Sequence, residues 1–362
     1  MSRRADIAIV GAGMAGASLA AEIGTRASVV LLEAEDQPGY HSTGRSAAFW
    51  SESYGGRAVQ PLTTASGPFL RDGGFLRPRG ALHIAGPEGQ GALDALAAEL
   101  GDTVELRPLP GEALSARVPG LRPEWDRALF EPSCADIDVA ALHALYLAAA
   151  RRAGAELLTG AELLAAERRG GRWHLTTGAG EIGAKVLVDA AGAWADPVAR
   201  LAGVRPLGTR PYRRTMVQLR VDPPPPADLP LVIDALGRFY FKPEAGGRLW
   251  LSPHDETACK PGDCAPEEYD VALAIDRLEK AVNWRVTQVE RRWAGLRSFA
   301  PDRLPVYGFA PDAPDFFWFA GQGGFGIQTA PAAARLGAAL LLGEMPRDGI
   351  DSAPYRPGRR MN

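Results

Sequence analysis

Apolar residues run without a break through Ile7-Ala8-Ile9-Val10, which predicts a strand buried on both faces, as in a parallel sheet. Gly11-Ala12-Gly13-Met14-Ala15-Gly16 follows and opens an alanine-rich stretch that predicts a helix ending near Gly24. Ser28-Val29-Val30-Leu31-Leu32 is a second buried-type strand with Glu33 at its carboxyl end, so the chain begins with a βαβ unit. Farther on, residues 139–153 read as a helix behind Asp138 as N-cap. Residues 157–164 and 173–177 read as strands, and 185–189 as another buried one. The pattern then changes. Residues 215–221 alternate as in a half-buried strand, closed by the prolines at 223–226, which have no N–H to give a ladder. Phe239-Tyr240-Phe241-Lys242 and Arg248-Leu249-Trp250-Leu251 flank Glu244-Ala245-Gly246-Gly247 as a hairpin. Residues 266–283 predict a helix with Val271, Ala274, Ile275, Leu278 and Val282 on one face. Phe316-Phe317-Trp318-Phe319-Ala320 predicts a last strand, followed by a glycine-rich loop and a helix over about 329–342. The tail, 356–362, is expected to fray.

A chain of 362 residues exceeds the ~250–300 that one core usually serves, so two domains are expected. Residues 209–289 read as mostly antiparallel sheet plus a helix, a separate substrate domain. A hydrophobic content of 46% and charged content of 23% are those of an ordinary globular enzyme. The net charge of −3 argues against a nucleic-acid partner. Cys134, Cys259 and Cys264 are too few for a disulfide framework and lack zinc-ligand spacing, so no metal is expected. No apolar run reaches the ~20 residues of a membrane helix. Ser2-Arg3-Arg4 runs straight into the first strand without a small-residue cleavage site, and a cytoplasmic protein is expected.

In the first unit, Gly11, Gly13 and Gly16 allow a tight turn, close approach of a pyrophosphate, and close helix–strand packing. The helix start offers free N–H groups to phosphate, and Glu33 is placed to bond ribose hydroxyls. These features predict a dinucleotide site without separating NAD from FAD.

The next segment separates them better. Gly39-Tyr40-His41-Ser42-Thr43-Gly44-Arg45-Ser46-Ala47-Ala48 resembles the flavin-binding stretch of the D-amino-acid oxidase superfamily. The resemblance implies that this stretch wraps the pyrophosphate and runs beneath the isoalloxazine. Ser42, Thr43 and Arg45 suit phosphate oxygens, while small Ala47 and Ala48 let backbone approach a flat ring; Gly44 and Ser46 belong to the same cofactor-binding stretch. Val188-Asp189-Ala190-Ala191-Gly192-Ala193-Trp194 resembles the family's strand-to-loop motif beside FAD. Trp293-Ala294-Gly295-Leu296-Arg297-Ser298-Phe299 resembles its carboxylate-binding segment, and Gly321 to Gln328 its flavin-closing loop. The likeness covers nearly the whole chain and is greatest to the D-arginine dehydrogenase-like D-amino-acid dehydrogenases. It implies FAD as cofactor, bound by Gly11, Gly13, Ala15, Gly16, Glu33, Ala34, Leu163, Ala191, Gly192, Trp194, Gly323, Gly324, Phe325, Gly326 and Ile327 besides residues 42–48. The fold implied is α/β, a discontinuous Rossmann-like FAD-binding domain (1–80, 135–208 and 293–362) with an inserted antiparallel sheet plus helix for the substrate (81–134 and 209–292).

Flavin-dependent amine oxidation is chiefly a positioning task, with the substrate Cα–H aimed at flavin N5. A planar guanidinium suits the substrate carboxylate. The family match puts Arg297 in that role, with Arg214 and Tyr240 reaching the same carboxylate. The glycine loop from Gly323 and the helix start after it would stabilise negative charge developing on the flavin, with Gln328 adding a hydrogen bond. Tyr54 resembles a mobile lid tyrosine; Trp50 is either pocket or core. No general base stands out, and His41, His83, His143, His174 and His254 read as structural. Phe49 stands where the subfamily has a histidine, and Ala81 where it has a glutamate for a cationic side chain. Without that carboxylate a buried guanidinium is costly. The reading is therefore oxidative deamination of a D-amino acid with a neutral, apolar or aromatic side chain, giving an imino and then a 2-oxo acid. A glycine- or sarcosine-type secondary-amine oxidase and a natural-product tailoring amine oxidase are alternatives. Covalent FAD, frequent in the secondary-amine branch, has no convincing cysteine here. A non-catalytic flavin-binding protein or an NAD-dependent dehydrogenase is more distant. Oxygen and a quinone-like molecule both remain open as electron acceptor.

Overall fold

The computed structural model describes residues 3–360; residues 1, 2, 361 and 362, at the outer ends of the expected first and last segments, lie outside it. Strand Arg3–Val10 sits inside an eight-stranded mixed sheet, parallel to Val29–Leu32 on one side and Gly180–Asp189 on the other. Glu156–Leu158 pairs parallel beyond Val29–Leu32. The far side of Gly180–Asp189 is shared. Its early residues pair antiparallel with Arg172–Thr177, and its last ones pair parallel with Ala313–Ala320. Helices Met14–Ile23, Val139–Arg152 and Ala330–Leu342 pack together, and Leu19 and Leu336 meet Ile7, Ile9, Val188, Phe317 and Phe319. The opposite face buries Ala8, Val10, Leu187, Phe316 and Trp318 with Trp173 and Val198. Successive residues serve opposite cores, so these strands read as unbroken apolar runs. Each large apolar side chain so buried contributes roughly 1.5–3 kcal/mol.

The nine-stranded second sheet is antiparallel apart from one pair, Leu231–Asp234 with Ala81–Ala85. Its longest pairing joins Arg210–Asp222 to Arg285–Phe299. The strand expected over 215–221 is longer because both its faces are mostly buried. Residues 293–299, expected with the cofactor-binding segments, are the end of Arg285–Phe299 and stay hydrogen-bonded to this sheet. Helix Glu268–Ala281 lays Val271, Ala274 and Leu278 on Val217, Leu219, Phe241 and Leu251. The hairpin Tyr240–Glu244 with Arg248–Ser252 forms as expected. Strands Phe49–Trp50, Leu76–Pro78 and Ala135–Ile137 make a third, small sheet.

Asp138 caps its helix as predicted, its carboxylate accepting from Ala141 N at 2.9 Å. The single strand expected over 157–164 is two. Gly160 turns the chain at φ +57°, so Leu158 ends one edge of the first sheet while Leu163 starts a hairpin at the other. The tail does not fray through Arg359, whose guanidinium bonds Asp302 at 2.6 and 2.9 Å and the Leu304 carbonyl at 2.9 Å. Among the described residues no helix is long and apolar enough to cross a membrane.

Candidate active site

A cavity of about 470 Å³ is walled by both large sheets, from Glu33 and Leu163 to Arg297 and Tyr240. At the first end, strand, helix and the 190–192 segment approach so closely that side chains would collide. A Cβ on Gly11 would stand 2.5 Å from the Ala190 carbonyl oxygen, and one on Gly16 would stand 1.9 Å from that of Gly11. Gly13, Ala15, Ala34, Leu163, Ala191, Gly192 and Trp194 line this end. The Glu33 carboxylate also lines it while accepting from the backbone N–H of Ala12 and of Glu35, each at 3.1 Å. His143 supports the turn from behind, donating from Nε2 to the Ala12 carbonyl at 2.8 Å. Burial holds its pKa below the ordinary histidine value, so it serves as a neutral prop.

The segment expected to wrap phosphate is partly committed within the protein. Ser42 Oγ donates to the Leu296 carbonyl at 2.7 Å, and Thr43 Oγ1 accepts from Met14 N at 2.9 Å. Arg45 bonds Asp263 at 2.6 Å and the carbonyls of Ala294 and Cys264 at 3.2 and 3.3 Å. Ser42, Thr43, Arg45, Ser46 and Ala47 still face the cavity, as do Gly323, Gly324, Gly326 and Ile327. Other expected residues stand behind the wall. Gly16 packs on Gly11, Gly44 N donates to the Gly39 carbonyl, and Ala48 N donates to Ser46 Oγ. Phe325 sets its ring edgewise to Tyr54 and Phe299. Gln328 is turned away from the cavity because its buried amide is used by a loop. Its Nε2 donates to the Tyr54 carbonyl at 3.0 Å and to Thr63 Oγ1 at 2.9 Å. Trp50 is core, 1% exposed, with its indole N–H on the Thr63 carbonyl.

The opposite end is cationic. Arg214 stands across from Gly295 in the strand pairing, with Arg297 two residues along the same face. Arg297 Nη1 is 2.5 Å from Tyr54 Oη, and its Nη2 is 3.5 Å from Tyr240 Oη. Arg214 is 3% exposed and donates to the Asp255 carbonyl at 2.9 Å and Glu256 at 3.1 Å. Its Nη1 is buried without a partner among the described residues. Burial and the charge of Arg297 hold Arg214 below the ordinary arginine pKa. For Arg297 burial acts the same way, but Tyr54, Tyr240 and Glu256 outweigh it and raise its pKa. Burial and both arginines also push His254 down to about 3, so the imidazole beside Tyr240 is neutral.

Phe49 meets Tyr54 and Tyr240 edgewise at 5.4 and 5.9 Å between ring centres. Met216 and Ala47 line the cavity, and Phe49 and Ala81 pack with them in one apolar cluster, so Phe49 and Tyr54 stand behind the wall. Met216 was not anticipated, although its two-residue spacing from Arg214 puts it on the same face. Glu131, Ser51 and Ser53, a buried polar cluster under Tyr54, carry no signal in the sequence pattern.

The close-approach glycines, the carboxylate at the strand end and the long cavity fit a dinucleotide. The buried arginine with an unpartnered N–H fits an anion at the other end. Among the described residues no cluster of His, Cys, Asp and Glu could hold a metal ion. The family described as FAD dependent oxidoreductase, DAO, matches residues 6–340. A glycine oxidase of Pseudomonas aeruginosa is 32% identical over 266 residues, 72% of this chain and 70% of its own. The crystal structure of glycine oxidase from Geobacillus kaustophilus superposes with a TM-score of 0.86 at 23% identity over 100% of both chains. That of L-proline dehydrogenase from P. horikoshii does so with 0.82 at 21% identity, over 95% of each. These relatives bring out the superfamily and, within it, glycine oxidases rather than the D-arginine dehydrogenase subfamily that the motifs resemble.

Proposed function

Because the chain belongs to the DAO family of FAD-dependent oxidoreductases, we propose that it oxidises the Cα–N bond of a small, neutral α-amino acid, glycine or an N-methylated glycine first. FAD is its cofactor and, when bound, supplies the two-electron acceptor for a hydride from the substrate α-carbon. The substrate is left as an imine, which water hydrolyses to an oxo acid and an amine or ammonia.

The observation that carries this reading is the buried Arg214 Nη1 with no partner among the described residues, beside a second guanidinium facing the same cavity. An isolated buried donor on a cation is costly, and a carboxylate is the ligand that satisfies it together with the Arg297 fork. Arg297 and Arg214 bind the substrate carboxylate, and Tyr54 and Tyr240 hold the Arg297 fork in plane. The substrate amine is taken neutral, so loss of hydride leaves an iminium that gives up its N–H proton to water, and His254 beside Tyr240 stays neutral throughout. Met216 and Ala47 line the cavity, with Phe49 and Ala81 packed against them in the same cluster, and this apolar wall supports a substrate with no cationic side chain. The likeness to glycine oxidases supports the smallest such substrate. An apolar or aromatic D-amino acid is the second reading, favoured by the rings of Phe49, Tyr54 and Tyr240.

The test is anaerobic flavin absorbance during addition of glycine, sarcosine, individual D- and L-amino acids and D-arginine. Bleaching by glycine or sarcosine is the expected result. Bleaching only by larger apolar D-amino acids would move the assignment to the second reading. Bleaching by D-arginine alone would overturn the pocket argument.

A further inference from the structure

Strand Arg127–Glu131 ends in a carboxylate that is wholly buried, opposite Ala81 and behind the apolar cluster at the cavity. Glu131 accepts from the backbone N–H of Glu52 at 2.7 Å, from Ser51 Oγ at 2.9 Å and from Ser53 Oγ at 2.5 Å. His83 Nε2 lies 3.2 Å from Ser53 Oγ and 3.4 Å from the carboxylate. Burial alone would raise the Glu131 pKa, yet the bonds from His83, Ser53 and Ser51 hold it below the ordinary glutamate value. The carboxylate is therefore charged, and its hydrogen bonds are of the stronger, charge-assisted kind.

All three close donors belong to the loop between strand Phe49–Trp50 and helix Gln60–Asp72. The same loop is gripped from its other side by Gln328 at Tyr54 O and Ser51 N. Tyr54, at its middle, sets its hydroxyl 2.5 Å from Arg297 Nη1. A buried carboxylate that pairs with no arginine or lysine among the described residues is an expensive way to fill a core. Here every bond it receives at 3 Å or less comes from residues 51–53, next to the tyrosine that covers the arginine.

We propose that Glu131 is a positioning residue for substrate binding, a latch that fixes the 51–53 loop so that Tyr54 closes on the Arg297 guanidinium. The latch rests on the reading of Arg297 as a carboxylate clamp. Glu131 is not among the residues lining the cavity and acts through Tyr54.

The experiment uses the FAD-loaded enzyme with Glu131→Gln, Ser53→Ala, Tyr54→Phe and the double variant E131Q/Y54F. Acetate, a carboxylate without an amine, is titrated against flavin absorbance, and KM and kcat are measured with the oxidised substrate. Each single variant is expected to weaken acetate about tenfold and to raise KM more than it lowers kcat. The double variant is expected to bind acetate no more weakly than Y54F, since both act through one contact. Additive losses in the double variant, or a lower kcat with unchanged acetate affinity, would overturn the latch. Should E131Q not fold, S53A carries the same expectation and the same overturning result. No acetate response in the parent enzyme would remove the clamp and the latch with it. An unchanged response in E131Q and S53A would remove the latch alone.

Discussion

Arg297 owes its orientation to two phenols and its electrostatic importance to a second arginine nearby. A guanidinium offers a planar fork to a carboxylate, whereas an ammonium offers a point charge with freely rotating donors. Arg297→Lys keeps the charge and loses the fork. Affinity for the substrate or for acetate is expected to fall about 100-fold, roughly 2.8 kcal/mol, with FAD content unchanged. Titration of the purified variant measures this, and an unaltered affinity would take Arg297 out of the binding site. The same reasoning separates the two arginines. Arg214 spends donors on the Asp255 carbonyl and on Glu256, so its remaining Nη1 can give the ligand one bond rather than a fork.

Strand Gly180–Asp189 carries a buried acid at its end. Asp189 is fully buried; one oxygen accepts from Ala191 N at 3.1 Å and the other has no partner among the described residues. Burial raises its pKa well above the carboxylate range, with a smaller push from Asp196 in the same direction. The folded chain thus holds a proton that the unfolded chain, with a pKa of about 3.9, releases. Stability from this group is full below the unfolded pKa and is lost as pH rises through the folded one. Asp189→Asn keeps the acceptor and removes the titration. Thermal melts should show the variant more stable than the parent by roughly 1 kcal/mol or more near pH 8, the gap closing toward pH 4. A gap that does not change with pH would mean that Asp189 does not titrate between the two states. The strand pair Arg210–Asp222 and Arg285–Phe299 has a different task, since its register alone makes Arg214 and Arg297 neighbours.

For the whole molecule, the cavity lies between walls from both large sheets, so a ligand filling it ties them together. A cofactor that binds only the folded chain stabilises it by mass action, about 2.7 kcal/mol at a hundred times its Kd. Stripping FAD should therefore lower the Tm by about 3–4 °C relative to that excess, and adding it back should restore the lost stability. The same melting temperature with and without bound FAD would place the cofactor somewhere that contributes nothing to the packing of the sheets. The pinning of the tail through Arg359 to Asp302 is independent of the cavity and should not follow FAD.

What the sequence determined by itself was the local part. The apolar run, the glycines at 11, 13 and 16, and Glu33 all belong to one βαβ unit, and short-range sterics decide what that unit can be. The capped helix at Asp138 and the hairpin around Gly246 were legible for the same reason. The strand break at Gly160 was not, because the two halves separate to pair at opposite edges of a sheet whose order no local pattern encodes. Tertiary structure alone decided that Gln328 serves a loop rather than the cavity wall, that Trp50 is core, and that Glu131 lies under Tyr54. Each of those depends on bringing distant segments together, and the choice of partner is made by burial and hydrogen-bond satisfaction over the whole fold.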